Sequence, residues 1–140
     1  EPMVFRAEGN GSLSLPAHGA VVHGEKLRYE PQPHKNTVGY WVNATDRVCW
    51  DFTVTSDGMF DVEIHQGCGN GQGGSLVALE VAGQKLDFTV KDTGHFQNFI
   101  PYIVGTVNLP KGEHRFLIKP LKKARNAIMD VRRIRLIPIN

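Results

Sequence analysis

Apolar and polar residues alternate along most of this chain, most strictly over residues 48–64. Val48, Trp50, Phe52 and Val54 share one parity, with Cys49, Asp51 and Thr53 on the other. Beyond Ser56-Asp57-Gly58, the residues Phe60, Val62 and Ile64 alternate with Asp61, Glu63 and His65. Successive side chains of a strand point to opposite faces, so each run predicts a strand with one buried and one polar face. A three-residue loop with Gly58 in the left-handed conformation would close the two runs into a β-hairpin. In that register Trp50 faces Ile64, Phe52 faces Val62, Val54 faces Phe60 and Cys49 faces His65.

Shorter runs of the same kind flank this stretch. Residues 12–22 read as strand, turn, strand about Pro16-Ala17-His18-Gly19, and residues 26–30 as a strand with Leu27 and Tyr29 on one face. The prolines of 31–36 (PQPHKN) exclude a central strand there. Residues 38–42 lead through a turn at 43–46 into the predicted hairpin. Glycine is too dense over 67–74 for a helix or a regular strand interior. Strands resume at 76–81 and 85–90, a loop is expected at 92–99 (DTGHFQNF), and further strands follow at 100–109, 114–119 and 128–137. No window sustains a helical period and no internal repeat is present. Nine to eleven short strands at this spacing predict an all-β, two-sheet antiparallel β-sandwich of the jelly-roll kind. One domain is expected over 1–140, with 1–12 as a linker remnant or edge strand.

Composition narrows the function classes. The 140 residues include 15 glycines and 8 prolines, which fall between the alternating runs. A formal net charge of +2 gives no ground for a nucleic-acid partner. There is no apolar stretch of membrane-spanning length, so no membrane partner is expected. A first residue of Glu rather than Met leaves room for an upstream signal or a further domain. A Cys49–Cys68 disulfide is disfavoured by the hairpin register, which sets the two about 10 Å apart, beyond the roughly 7 Å a bridge spans.

Catalytic signatures are sparse. No serine occupies a nucleophile elbow, and the glycine run lacks the strand-to-helix setting of a phosphate loop. Asp51, Asp61 and Glu63 could supply a carboxylate pair for glycoside hydrolysis, although solvated charges on a strand face are the plainer account. The six histidines are not at zinc-site spacings. The aromatics outside the apolar face are more informative. Tyr40 and Trp41 are adjacent, so one must point away from the core. His95, Phe96 and Phe99 lie among Gln97 and Asn98. A sugar stacks its C–H face on an aromatic ring and hydrogen-bonds its hydroxyls to amides and carboxylates, which is the mixture these segments offer. Positive charge also gathers between Lys119 and Arg135, a pattern suited to an anionic partner.

The ordered set VGYWVNATDRVCWDFTVTSDGMFDVEI, then a Gly-rich loop, DTGHFQNF and the closing MDVRRIRLIP resembles carbohydrate-binding modules of families 6 and 35, in the galactose-binding-domain-like superfamily. It also looks like ancillary domains attached to bacterial sulfatases and glycoside hydrolases. The likeness covers roughly residues 14–138. It implies a secreted, periplasmic or cell-surface sandwich domain that binds a polysaccharide or oligosaccharide at the loops of one edge, beside a catalytic domain in the parent chain. A module of this kind is expected to act as a monomer. By position, Tyr40 matches a sugar-stacking aromatic, Phe96 the Trp of a "TGgW" loop with His95 beside it, and Asp130 an Asn that hydrogen-bonds a hydroxyl. The expected site is Tyr40, Trp41, His95, Phe96, Gln97, Asn126 and Asp130. The resemblance also implies a structural calcium held partly by an early acidic residue. The family's acidic residue follows an Ala; here the corresponding pair is Ala17-His18, whose imidazole suits calcium poorly, with Glu25, Glu30 or Asp51 as substitutes. Two other readings stay open on the sequence: a packing domain without glycan affinity, and a small polysaccharide-active enzyme using His65 or His95 with Asp51.

Overall fold

The computed structural model describes residues 3–139. They form twelve strands: β1 (Val4–Arg6), β2 (Leu13–Pro16), β3 (Val21–His23), β4 (Arg28–Glu30), β5 (Thr37–Gly39), β6 (Arg47–Val54), β7 (Gly58–Cys68), β8 (Leu76–Val81), β9 (Gln84–Thr89), β10 (His95–Leu109), β11 (Gly112–Lys122) and β12 (Asp130–Pro138). A single 3-10 turn, Ala17–Gly19, separates β2 from β3. Two sheets result, ordered β1-β6-β11-β8-β9 and β10-β7-β12-β5-β4. β3 shares β6 with β1, and β2 shares β12 with β5. All these pairs are antiparallel except β1 with β6, which is parallel, so the predicted all-antiparallel sandwich is corrected at this edge. Of the two expectations for the N-terminal segment, the described part is the edge strand.

The central hairpin is also corrected. β6 pairs with β11 in the first sheet, whereas β7 pairs with β10 and β12 in the second. Residues 55–57 therefore arch from one sheet to the other. Trp50, Phe52 and Val54 still meet the same core as Phe60, Val62 and Ile64, but across the sandwich. Alternation fixes which face is inward and leaves the neighbouring strand open, because both arrangements bury the same side chains. Gly58 opens β7 without a left-handed φ. A tight two-residue hairpin turn instead joins β8 to β9, with Ala82 (φ 50°) and Gly83 (φ 70°) both left-handed.

Cys49 lies beside Val21 and Leu117, its Sγ 3.7 Å from His23 Nε2, and does not face His65. Cys68 is buried at the end of β7 in the other sheet, and both thiols are free. Burial, with Asp92 and Asp130 adding to it, pushes the Cys68 thiol up to about 11. Residues 95–99, expected as loop, already belong to β10, whose register shifts between His95 and Ile100. The predicted strand at 38–42 stops at Gly39.

Candidate functional site

Several strands begin or end at one edge of the sandwich: β5 at Gly39, β7 at Cys68, β10 at His95 and β12 at Asp130. Directly after Gly39 the backbone of Tyr40 adopts φ 57°. A bulky residue in this left-handed region costs of order 1–3 kcal/mol and persists only where its surroundings hold it. Here it turns adjacent side chains to opposite sides. Tyr40 emerges, 45 % exposed, while Trp41 is 1 % exposed and donates its indole N–H to the Asp46 carbonyl at 3.1 Å. The Arg28 guanidinium covers one Tyr40 face, 4.8 Å from the ring centroid.

Asp46 holds the approach to β4. Its carboxylate accepts the backbone N–H groups of Glu25 (3.0 Å), Lys26 (3.0 Å) and Leu27 (2.9 Å). Burial pushes its carboxyl up, but these donors outweigh burial and hold it below the ordinary range. The strand so anchored carries Arg28 and Glu30, whose side chains pair at 3.2 Å, with Lys35 Nζ 3.9 Å from the same Glu30 oxygen.

The glycine-rich segment places Phe96. A Cβ on Gly67 would lie 2.1 Å from the Phe96 carbonyl oxygen, and one on Gly69 would meet the Phe96 ring at 2.5 Å. Only hydrogen at these positions lets the start of β10 lie against the end of β7. Next to Phe96, Gln97 donates its amide N–H to Asp130 Oδ2 at 3.2 Å. Asp130 is 4 % exposed. Burial pushes its carboxyl up to about 7, with the nearby Glu30 charge adding to the effect, and the Gln97 hydrogen bond and Lys35 opposing it. Glu30 and Asp130 both reach the Cα of Gly39, where a Cβ would clash.

These side chains enclose a cavity of about 240 Å3, lined by Glu30, Tyr40, Trp41, Val42, Phe96, Gln97, Ala127 and Asp130. The lining combines aromatic and aliphatic side chains with two carboxyl groups and an amide. Five of the seven expected residues are thus brought together: Tyr40, Trp41, Phe96, Gln97 and Asp130. Trp41 contributes a wall and no free ring face. His95 is exposed outside the cavity, where its Nδ1 accepts the Gln97 backbone N–H at 3.0 Å. Asn126 is also outside, its backbone N–H held by Gln72 Oε1 at 2.9 Å. The sequence reading missed Glu30, Val42 and Ala127 as lining residues. For Glu30 the signal was its i, i+2 spacing from Arg28, which puts opposite charges on one strand face.

The pairings required by the enzyme reading are absent among the described residues. Asp51 is ion-paired to Arg115 at 2.8 Å in the first sheet, whereas His65 lies in the second and contacts Glu63 at 2.6 Å. The acidic residues named as substitutes for the implied calcium do not come together either. Glu25, Glu30 and Asp51 lie in a loop, the second sheet and the first sheet respectively, and no group of three or more acidic, His or Cys residues converges among the described residues. No described helix is long and apolar enough to cross a membrane.

The architecture is the two-sheet β-sandwich of carbohydrate-binding modules. No family model matches the sequence, and no curated protein matches it. Among solved structures it is similar to the C-terminal family 6 module of LamC, a marine laminarinase from Zobellia galactanivorans, with 21 % identity and TM-score 0.71, over 90 % of this chain and 98 % of that one. A family 35 carbohydrate-binding module from Clostridium thermocellum matches at 15 % identity and TM-score 0.71, over 91 % of this chain and 98 % of that one. A β-(1,4)-mannanase from Podospora anserina that joins a GH26 domain to a family 35 module matches at 15 % identity and TM-score 0.62, over 94 % of this chain but 28 % of the mannanase.

Proposed function

We propose that this domain is a non-catalytic carbohydrate-binding module, which seats a sugar residue in the cavity between Tyr40 and Phe96. The observation that carries the reading is the cavity's lining: an exposed Tyr40 and a half-buried Phe96 share it with Gln97 and the buried carboxyl groups of Glu30 and Asp130. A pyranose ring would stack on the Tyr40 face that Arg28 leaves open, while its hydroxyls meet the carboxyl and amide groups. Such pockets, apolar with a few placed polar groups, are what small-ligand recognition requires. The module would hold an attached polysaccharide-degrading domain at its glycan outside the cytoplasm, raising the effective concentration of substrate. The mannanase with its own family 35 module supports that arrangement.

Affinity electrophoresis through gels containing a panel of neutral and anionic polysaccharides tests the proposal. Retardation is expected in at least one gel, and Tyr40→Ala and Phe96→Ala should each weaken it by roughly tenfold in Kd, the loss of one aromatic contact of about 1.4 kcal/mol. Uniform mobility in every gel, or retardation indifferent to both substitutions, would overturn it.

A further inference from the structure

We infer that the glycan continues from this cavity into a neighbouring cationic groove, so that the ligand is a polysaccharide in which a neutral residue adjoins one bearing a sulfate ester or carboxylate. The inference rests on the cavity being the glycan site proposed above. The groove runs between the glycine loop at Gly71, Gly73 and Gly74 and the wall formed by Lys91 and Tyr102, with Arg125 at its rim.

The two depressions share a ridge. Gln72 Oε1 accepts the backbone N–H groups of Asn126 (2.9 Å) and Ala127 (3.3 Å), and Ser75 Oγ accepts that of Ala124 (3.0 Å), so the 124–127 segment is pinned. Ala127 faces the cavity and Arg125 the groove. Two residues of extended chain span about 7 Å at most, the scale of one sugar ring. A chain leaving the cavity over Ala127 therefore brings its next residue to Arg125.

The charges are divided between the two. The cavity is lined by the carboxyl groups of Glu30 and Asp130 and by no Lys, Arg or His, and the cations nearest them, Arg28 and Lys35, are engaged by Glu30, so the cavity offers no free cation to an anionic ring. Outside, Lys91 and Arg125 line the groove from two segments, with Lys122 and Lys123 preceding Arg125 in the chain; all four are exposed, and none has an ion-pair partner among the described residues. Lys123 is tethered beside the cavity, donating one N–H to the Val42 carbonyl at 2.7 Å. Asp92 also lines the groove, but its two oxygens accept the backbone N–H groups of Gly71 and Gly94. Tyr102 packs its ring on Phe88, with centroids 6.1 Å apart, and so offers a fixed face to the second sugar. Acid within and base alongside match a neutral residue followed by a charged one.

Titration calorimetry of the full chain with matched probes tests this. One pair is a galactan whose sulfated residues are separated by neutral ones, and its desulfated form; the other is a rhamnogalacturonan backbone, in which neutral rhamnose alternates with galacturonate, and its carboxyl-reduced form. At low salt the anionic member of one pair should bind three- to tenfold tighter than its neutral counterpart, the size of one or two exposed charge contacts. Which pair shows the preference distinguishes sulfate from carboxylate. The preference should vanish near 0.3 M salt, where screening acts within roughly 6 Å, and in a Lys91→Gln/Arg125→Gln double variant that retains its affinity for the neutral probe. Tyr40-dependent binding without any charge preference, or a preference that survives in the double variant, overturns the groove alone. Binding indifferent to Tyr40→Ala overturns the cavity reading and the groove with it, whereas no binding to any of the four probes by a chain that other gels of the panel retard overturns the groove alone.

Discussion

Replacing Asp130 by Asn swaps an ionisable group for a neutral isostere that can still accept the Gln97 hydrogen bond. Burial raises the Asp130 carboxyl from about 3.8 to about 7. A carboxyl raised in this way binds its proton more tightly in the folded state than in the unfolded one, so it subtracts stability as pH climbs from the unfolded value to the folded value. Linkage puts the penalty at roughly 1.5 kcal/mol at pH 5 and roughly 4 kcal/mol at pH 8, where the folded chain must carry a buried charge. Asn carries no such penalty. The measurement is urea unfolding of wild type and Asp130→Asn at both pH values. The stability difference between the two proteins, not either value alone, isolates this group from the rest of the chain. Asp130→Asn should gain on wild type by about 2.5 kcal/mol between pH 5 and pH 8, which in a domain of this size corresponds to about 8 °C in Tm. A stability difference that is the same at both pH values would refute the reasoning, because it would mean that Asp130 ionises as readily in the folded chain as in the unfolded one.

Asp46→Ala should have the opposite pH signature. Three backbone donors lose their acceptor, so the substitution is expected to cost about 3 kcal/mol at pH 7, seen as a lower urea midpoint at unchanged slope. Because the Asp46 carboxyl is held below its ordinary range, that contribution is present above the unfolded pKa and is lost as pH falls through the folded value, so wild type and variant should converge in acid. Gly67→Ala drives a Cβ against the backbone oxygen of Phe96 and should destabilise by about 1–3 kcal/mol while weakening glycan retardation, since the start of β10 must move. A variant that retained both wild-type stability and wild-type retardation would remove Gly67 from the account of the site.

The sandwich was legible because its strands alternate strictly, and twelve of them leave few other ways to bury so many inward residues. What alternation could not reveal was adjacency. Trp50 and Ile64 share a core from opposite sheets, and no local feature of 55–57 distinguishes an arch from a hairpin. At the site, Tyr40, Phe96, Gln97 and Asp130 could be named from the ordered motifs, and the adjacency of Tyr40 and Trp41 already required one of them to face outward. Glu30 escaped because its place depends on the pairing of β4 with β5 and on the absence of a side chain at Gly39, a contact between distant segments. The glycines at 67 and 69 read as a loop signal. Their role is to admit Phe96, which is written in the partner strand and not in the glycine run.

β12 pairs with β2, β5 and β7, and it follows the other eleven described strands in the sequence. During synthesis, residues 13–16 have no partner and residues 37–39 only half of theirs until 130–138 have been made, and the arch between β6 and β7 gives no early hairpin to nucleate either sheet. Folding of such non-local pairings is slow and waits for the C-terminal segment. Asp130 arrives with that same strand. Retention on a glycan matrix would therefore separate molecules in which β12 has docked from those in which it has not, making ligand capture an assay of that docking.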